Sequence, residues 1–208
     1  MRPIVVAIVA ALALLLAGSP WAAEAAECDG PGGETPSRCL YRAGFPAAGL
    51  VAQCRTDRDC RVGYYYGGPG DAVWLALPPG FATLPKPEVT WHTPTLAEAR
   101  FACGPHCAAS YFLDARRKRL SAPRADVVAV EHQRQVLAAA EGRALVVRQI
   151  FSGRELLRIE RDWIPVGRLP EALTVVRFDP DGRLSVTWRR APDGAPVTER
   201  VTVPARPP

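Results

Sequence analysis

The chain has 208 residues, 48% of them hydrophobic, with 26 basic and 21 acidic side chains, a formal net charge of +5 and six cysteines. This length and apolar content suit one folded domain and exclude a disordered polyampholyte. All basic residues except Lys86 and Lys118 are arginines, and acidic residues are interspersed among them, so there is no polycationic tail of the kind that grips nucleic acid.

Arg2 precedes an apolar stretch from Ile4 to Ala17, and Ala23-Glu24-Ala25 has the small-x-small form that signal peptidase reads. The pattern predicts a signal peptide over residues 1–25. The apolar core is too short for a bilayer anchor, and Ser19 stands where a lipoprotein would carry cysteine after Leu16-Ala17-Gly18. A periplasmic or secreted protein with no stable membrane anchor is therefore expected, in a setting that also excludes nucleic acid. Cys28, Cys39, Cys54, Cys60, Cys103 and Cys107 all follow the cleavage site, and an even set in an oxidising compartment predicts disulfides. The spacings suggest local bridges for Cys54 with Cys60 and Cys103 with Cys107, leaving Cys28 and Cys39 as the simplest third pair, while other connectivities stay open.

Residues 26–70 are rich in Gly, Pro and Cys, including Gly30-Pro31-Gly32-Gly33 and Gly67-Gly68-Pro69-Gly70, and are expected to form an irregular, disulfide-stapled segment packed on the main domain. Tyr64-Tyr65-Tyr66 near its end must split between two faces if extended, which makes it a candidate stacking platform for sugar or peptide. Residues 71–208 are expected to form an antiparallel β domain. Ala72 to Leu77, Val89 to His92 and Ala108 to Leu113 read as strands between prolines. Thr95-Leu96-Ala97-Glu98 after Pro94 has the capping-box form and could open a short helical turn.

The last third alternates most clearly. Val127 to Val130, Gln135 to Ala139, Ala144 to Phe151, Glu155 to Glu160, Leu173 to Phe178, Arg183 to Trp188 and Val197 to Val203 read as strands. They are joined through Glu141-Gly142, Ser152-Gly153, Asp181-Gly182 and Asp193-Gly194, where glycine supplies the positive φ of tight turns. Leu184, Val186 and Trp188 should be buried opposite wet Arg183, Ser185 and Thr187, with Val176 and Phe178 or Leu157 and Ile159 completing the apolar layer.

Phe178-Asp179-Pro180-Asp181-Gly182-Arg183-Leu184 resembles the inner hairpin of a β-propeller blade, and Val127 to Glu160 has a comparable strand-turn-strand order. Four blades of about forty residues would nearly use up the chain, yet no fixed-period repeat runs through the cysteine-rich part. The expected fold class is thus an all-β antiparallel meander forming a curved sheet, a sandwich or an open barrel. The leader, Cys103-Gly104-Pro105-His106-Cys107 and the stretch from Arg154-Glu155 to Asp162-Trp163 are similar to exported proteobacterial proteins of unassigned activity. That resemblance implies a periplasmic address.

Cys103 and Cys107 are separated by three residues, whereas thioredoxin-like enzymes use two at a helix start. Copper-delivering relatives of that fold use the wider spacing with a distant histidine, for which His92 or His132 is available, but they need parallel strands crossed by helices. A structural staple with His106 exposed on it is the preferred reading, and thiol-redox or copper handling is the alternative. Asp57 and Asp59 lack the remaining ligands of a calcium loop. Gly67-Gly68-Pro69-Gly70 is similar to the oxyanion loop of proline-iminopeptidase-like hydrolases, but no Gly-x-Ser-x-Gly elbow accompanies it. Zinc, phosphate-loop and dinucleotide motifs are likewise missing, so neither metal nor cofactor is expected.

Arg116-Arg117-Lys118-Arg119 reads as a solvated loop that offers Arg116, Arg117 and Arg119 to an anionic surface. The functional expectation is a non-catalytic binding or structural protein of the cell envelope, acting through a sheet edge, the Tyr64 to Gly70 loop or this basic loop. Its expected partner is an envelope protein, a toxin or enzyme to be inhibited, or a glycan. Edge strands could pair between copies, and the arginines scattered through them oppose it, so the sequence leaves the oligomeric state open.

Overall fold

The computed structural model describes residues 27–29, 37–42, 48–104, 107–161, 169–189 and 194–205. The signal-peptide reading, Gly30 to Gly33, Pro105, His106, Asp162, Trp163 and Asp193 fall outside them. The described chain forms four antiparallel sheets in sequence order, none closed into a barrel. Sheet 1 holds β1 (Glu27–Asp29), β2 (Ser37–Arg42), β3 (Ala48–Thr56), β4 (Asp59–Tyr66) and β5 (Val73–Trp74). Sheet 2 holds β6 (Glu88–Thr93), β7 (Leu96–Gly104), β8 (Cys107–Asp114), β9 (Arg119–Leu120) and β10 (Arg124–Ala125). Sheet 3 holds β11 (Val127–Glu131), β12 (Val136–Glu141), β13 (Ala144–Gln149) and β14 (Glu155–Glu160). Sheet 4 holds β15 (Leu173–Phe178), β16 (Arg183–Arg189) and β17 (Pro196–Thr202), preceded by one helical turn, α1 (Leu169–Ala172).

The sheets pack face to face in chain order. Leu50, Ala52 and Val62 of sheet 1 meet Ala97, Ala99, Phe101, Tyr111 and Leu113 of sheet 2. Leu96 and Phe112 on the opposite face of sheet 2 meet Val127, Leu137, Ala139 and Ile150. Leu145, Val147 and Ile159 of sheet 3 then meet Leu184, Val186 and Trp188 of sheet 4, with Leu157, Val176 and Phe178 half-buried against them. Sheets with two such faces must alternate between two apolar sets, and small alanines opposite large side chains let neighbouring sheets interdigitate.

The breaks between sheets have local causes. The Pro-rich stretch from Pro78 to Pro87 cannot donate a continuous hydrogen-bond ladder, so it separates sheets 1 and 2. Between β10 and β11 a single residue, Asp126, makes the transfer with φ +46°. Its N–H donates to Ala108 O in sheet 2 and its carbonyl accepts from Ala140 N in sheet 3, so the kinked residue is bonded to both. Gly182, at φ +77°, donates to Asp179 O and closes the β15–β16 hairpin in the left-handed conformation that its Asp-Pro-Asp-Gly sequence predicts.

Several expectations are corrected at the level of elements. Residues 48–66, within the segment expected to be irregular, form two long paired strands, and β5 carries sheet 1 across residue 70. Val51, Val62 and the tyrosines provide the alternating faces that a count of Gly, Pro and Cys overlooks. The proposed helical turn at Thr95 is instead the corner of the β6–β7 hairpin, where Thr93 Oγ1 accepts from the Thr95 and Leu96 amides. The hydroxyl caps a strand turn because Leu96 onward alternates with period two. Ala72 to Leu77 shrinks to the two residues of β5, and Ser185, expected on a wet face, is buried and donates to Asp179.

Candidate functional site

The N-terminal staples are cross-strand pairs. Cys28 lies directly opposite Cys39 and is bonded to it, and Cys54 lies opposite Cys60 and is bonded to it. Cys39, Cys54 and Cys60 are buried on the face that meets sheet 2. Cys107 is also disulfide-bonded, and Gly104 pairs with Cys107 across the tip of the β7–β8 hairpin. Gly104 thus ends one strand of a hairpin and Cys107 begins the other, so the described part of the Cys-Gly-Pro-His-Cys motif belongs to strands and not to a helix start. Disulfides persist in oxidising surroundings, which points away from the cytoplasm. Among the described residues no helix is long and apolar enough to cross a membrane.

Tyr64 and Tyr66 share a face of β4, their rings 5.6 Å apart and edge-to-face, while Tyr65 is buried on the other side against Gly49. Burial, with added repulsion from Tyr64 and Asp114, pushes the Tyr66 hydroxyl pKa well above the ordinary phenolic range. Tyr64 and Tyr66 pack into the layer between sheets 1 and 2 with Trp91, so they are largely core residues. The more accessible apolar surface lies just beyond them. Val73 and Leu77 are 54% and 52% exposed, and Trp74 between them is covered by Arg61, whose guanidinium carbon stands 4.5 Å from the ring centroid. A cleft of about 270 Å³ runs beneath, lined by Arg61, Trp74, Leu75, Leu77, Thr83 and Leu84.

The basic run occupies the turn from β8 to β9, and Arg116, Arg117, Lys118 and Arg119 are all exposed. Two of the arginines are nevertheless committed. Asp114, buried at the end of β8, accepts from Arg117 N at 3.0 Å, Arg117 Nη1 at 3.3 Å, Arg119 Nη2 at 3.1 Å and Gln135 Nε2 at 3.2 Å. Burial opposes ionisation of Asp114, but these donors outweigh it and hold the carboxyl below its ordinary pKa. Arg119 also donates to Gln135 Oε1 and lies 4.3 Å over the Phe151 ring. Arg119, Arg134, Gln135, Gln149, Phe151 and Ser152 enclose a cleft of about 160 Å³ between sheets 2 and 3. The sequence motif pointed to this turn, but Gln135, Gln149 and Phe151 come from elsewhere in the chain and carried no local signal.

A buried polar cluster joins His92 and Glu98, read from the sequence in other roles, to Ser110, which carried no signal. Glu98 on β7 accepts from Ser110 Oγ at 2.6 Å and pairs with His92 Nε2 at 2.9 Å, and His92 stacks on Phe112. Burial raises the Glu98 pKa, and the His92 and Ser110 hydrogen bonds more than offset this, leaving it lowered. The carboxylate lies between hydroxyl and imidazole, so His92 cannot draw the proton from Ser110, which is itself 1% exposed. In a hydrolytic triad the imidazole occupies the middle place. His132, in the β11–β12 turn, is exposed. Among the described residues no three His, Cys, Asp or Glu side chains are grouped to hold a metal ion. No protein-family model matches the chain, and no curated protein is detectably similar to it.

Proposed function

We propose that this is an exported, periplasmic protein of the cell envelope that works by binding and not by catalysis. The observation that carries the reading is the exposed Val73 and Leu77 pair beside the Arg61-covered Trp74, on the outermost strand of a disulfide-braced sheet. Leu77 lines the cleft with Trp74 and Leu75, and an exposed apolar side chain at a cleft beside an edge strand marks an interaction surface more strongly than an isolated one does; β5, which carries Val73, presents backbone that a partner strand can extend. The order Ser110, Glu98, His92 supports the non-catalytic half, since it supplies no activated nucleophile. The leader over residues 1–25 supports the address. The reading predicts recovery of the oxidised protein in the periplasmic fraction, with one envelope protein or glycan retained by the native chain and lost from a Leu77→Asp variant of equal stability. Cytosolic recovery with reduced thiols would contradict the address, and identical retention by both chains would contradict the surface.

A further inference from the structure

The geometry points to a second ligand site, for an oxyanion, in the cleft that Arg119, Arg134, Gln135, Gln149, Phe151 and Ser152 enclose. It goes beyond the protein-docking surface at Val73 and Leu77 and needs none of those residues. Phe151 fixes the plane of the Arg119 guanidinium from one side, and Nη2 is the atom that serves Asp114 and Gln135. The Nε and Nη1 N–H groups of Arg119 make no hydrogen bond to described residues. A guanidinium anchored through Nη2 keeps two separate single donors, at Nε and at Nη1, and a positive charge at the wall of the cleft, which an anionic oxygen can accept from.

The surroundings favour the same charge. Gln149 accepts from Ser152 through Oε1, which leaves its NH2 as a further donor among the described contacts. The same turn brings Arg116, Arg117 and Lys118, whereas the nearby carboxylates are already engaged, Asp114 by Arg117 and Arg119 and Glu131 by Arg134. A cleft of about 160 Å³ has room for a tetrahedral oxyanion.

The backbone gives an independent sign. Three non-glycine residues among those described have positive φ; one, Gln135 at +54°, lines this cleft, and a second, Lys118 at +51°, precedes Arg119 in the chain. Such conformations cost free energy and persist where neighbours hold them, often at binding sites. Here Gln135 is held by Asp114 and Arg119 through its amide and by Ile150 N through its carbonyl.

The test is a titration of the full-length oxidised protein, at fixed ionic strength, with sodium phosphate in one arm and phosphatidylglycerol vesicles in the other, reading the Arg119 Nε–H and Gln149 side-chain resonances or vesicle co-sedimentation. The inference expects saturable binding in at least one arm; the phosphate arm identifies a free oxyanion and a response confined to vesicles identifies a lipid headgroup. Gln149→Glu places a like charge among the acceptor atoms while keeping the Ser152 contact, and should weaken binding about tenfold or more without lowering the melting temperature. Arg119→Lys, which keeps the charge but loses the planar donor group stacked on Phe151, should weaken it as well. Linear, non-saturating responses in both arms, or binding unchanged by Gln149→Glu, would overturn the site.

Discussion

Asp114 Oδ2 accepts a hydrogen bond from Arg119 Nη2 at 3.1 Å, joining a buried carboxylate at the end of one strand to the last arginine of the exposed turn that follows. The pairing turns part of a basic run into a bracket of the fold, because the turn from residue 115 to 118 is closed around the Asp114 side chain. Gln135, reaching across from sheet 3, ties the same carboxylate to the next layer.

Asp114→Ala should therefore destabilise the protein by about 2–3 kcal/mol, since it leaves Gln135 and the Arg117 amide without their charged acceptor. The Asp114 pKa is depressed in the fold, so its contribution is present above the ordinary value of 3.8 and is lost as pH falls through the lower folded value. Urea unfolding at pH 7 and at pH 3 measures this, and the difference between wild type and Asp114→Asn should narrow at the lower pH.

Glu98 ties three strands of sheet 2 together, through His92 on β6 and Ser110 on β8. Ser110→Ala should cost about 1–2 kcal/mol, and Glu98→Gln somewhat more, because each leaves a buried polar group unpaired. The Glu98 pKa is also lowered, so its stabilisation too is lost on acidification below the ordinary carboxylate range. If Ser110 is only structural, a serine-reactive fluorophosphonate should leave it unlabelled in the native protein.

Removing either N-terminal disulfide by paired Cys→Ala substitution should lower stability by about 2–3 kcal/mol, on the chain-entropy scale for loops of these sequence separations, 11 and 6 residues. Thermal melts of the Cys28/Cys39 and Cys54/Cys60 double variants check the size. Disulfide mapping under graded dithiol addresses the rest of the thiol chemistry: a Cys103/Cys107 pair that resists mild reductant fits a staple, whereas one reduced first and able to bind copper(I) fits the thiol-redox alternative.

Gly49 is a position where only glycine fits. A Cβ there would stand 2.4 Å from Tyr41 O and 2.6 Å from the Tyr65 hydroxyl, and the backbone oxygen cannot swing aside. Gly49→Ala should cost about 2 kcal/mol or more, by overpacking against a fixed strand. Equilibrium unfolding that shows a change below about 0.5 kcal/mol would mean that β2 and β3 can separate locally.

Much of the fold was legible because strands declare themselves by alternation. Leu184, Val186 and Trp188 lie in the core as their spacing predicts, and Asp179 to Gly182 forms the hairpin turn that its residues demand. What the sequence hid was side-chain pairing among polar residues, within a hairpin as well as across layers. Ser185 looked like a solvent-facing residue but is buried and donates to Asp179 at 2.6 Å. Gln135 and Gln149 carry no local motif, and they come together with Arg119 only when sheets 2 and 3 stack. Sheet 1 was hidden for the opposite reason, since glycines and cysteines in its strands resemble loop composition until their register is known.

Whether the Val73–Leu77 surface is where this protein meets its partner is decided by a photo-crosslinking residue placed at Leu77 in the intact envelope, with a second at Thr202 on the far sheet as control. A docking surface there gives a discrete adduct from Leu77, absent from Thr202 and abolished by Val73→Asp in a chain that melts at the same temperature. The same diffuse adducts from both positions, unaffected by Val73→Asp, would contradict it.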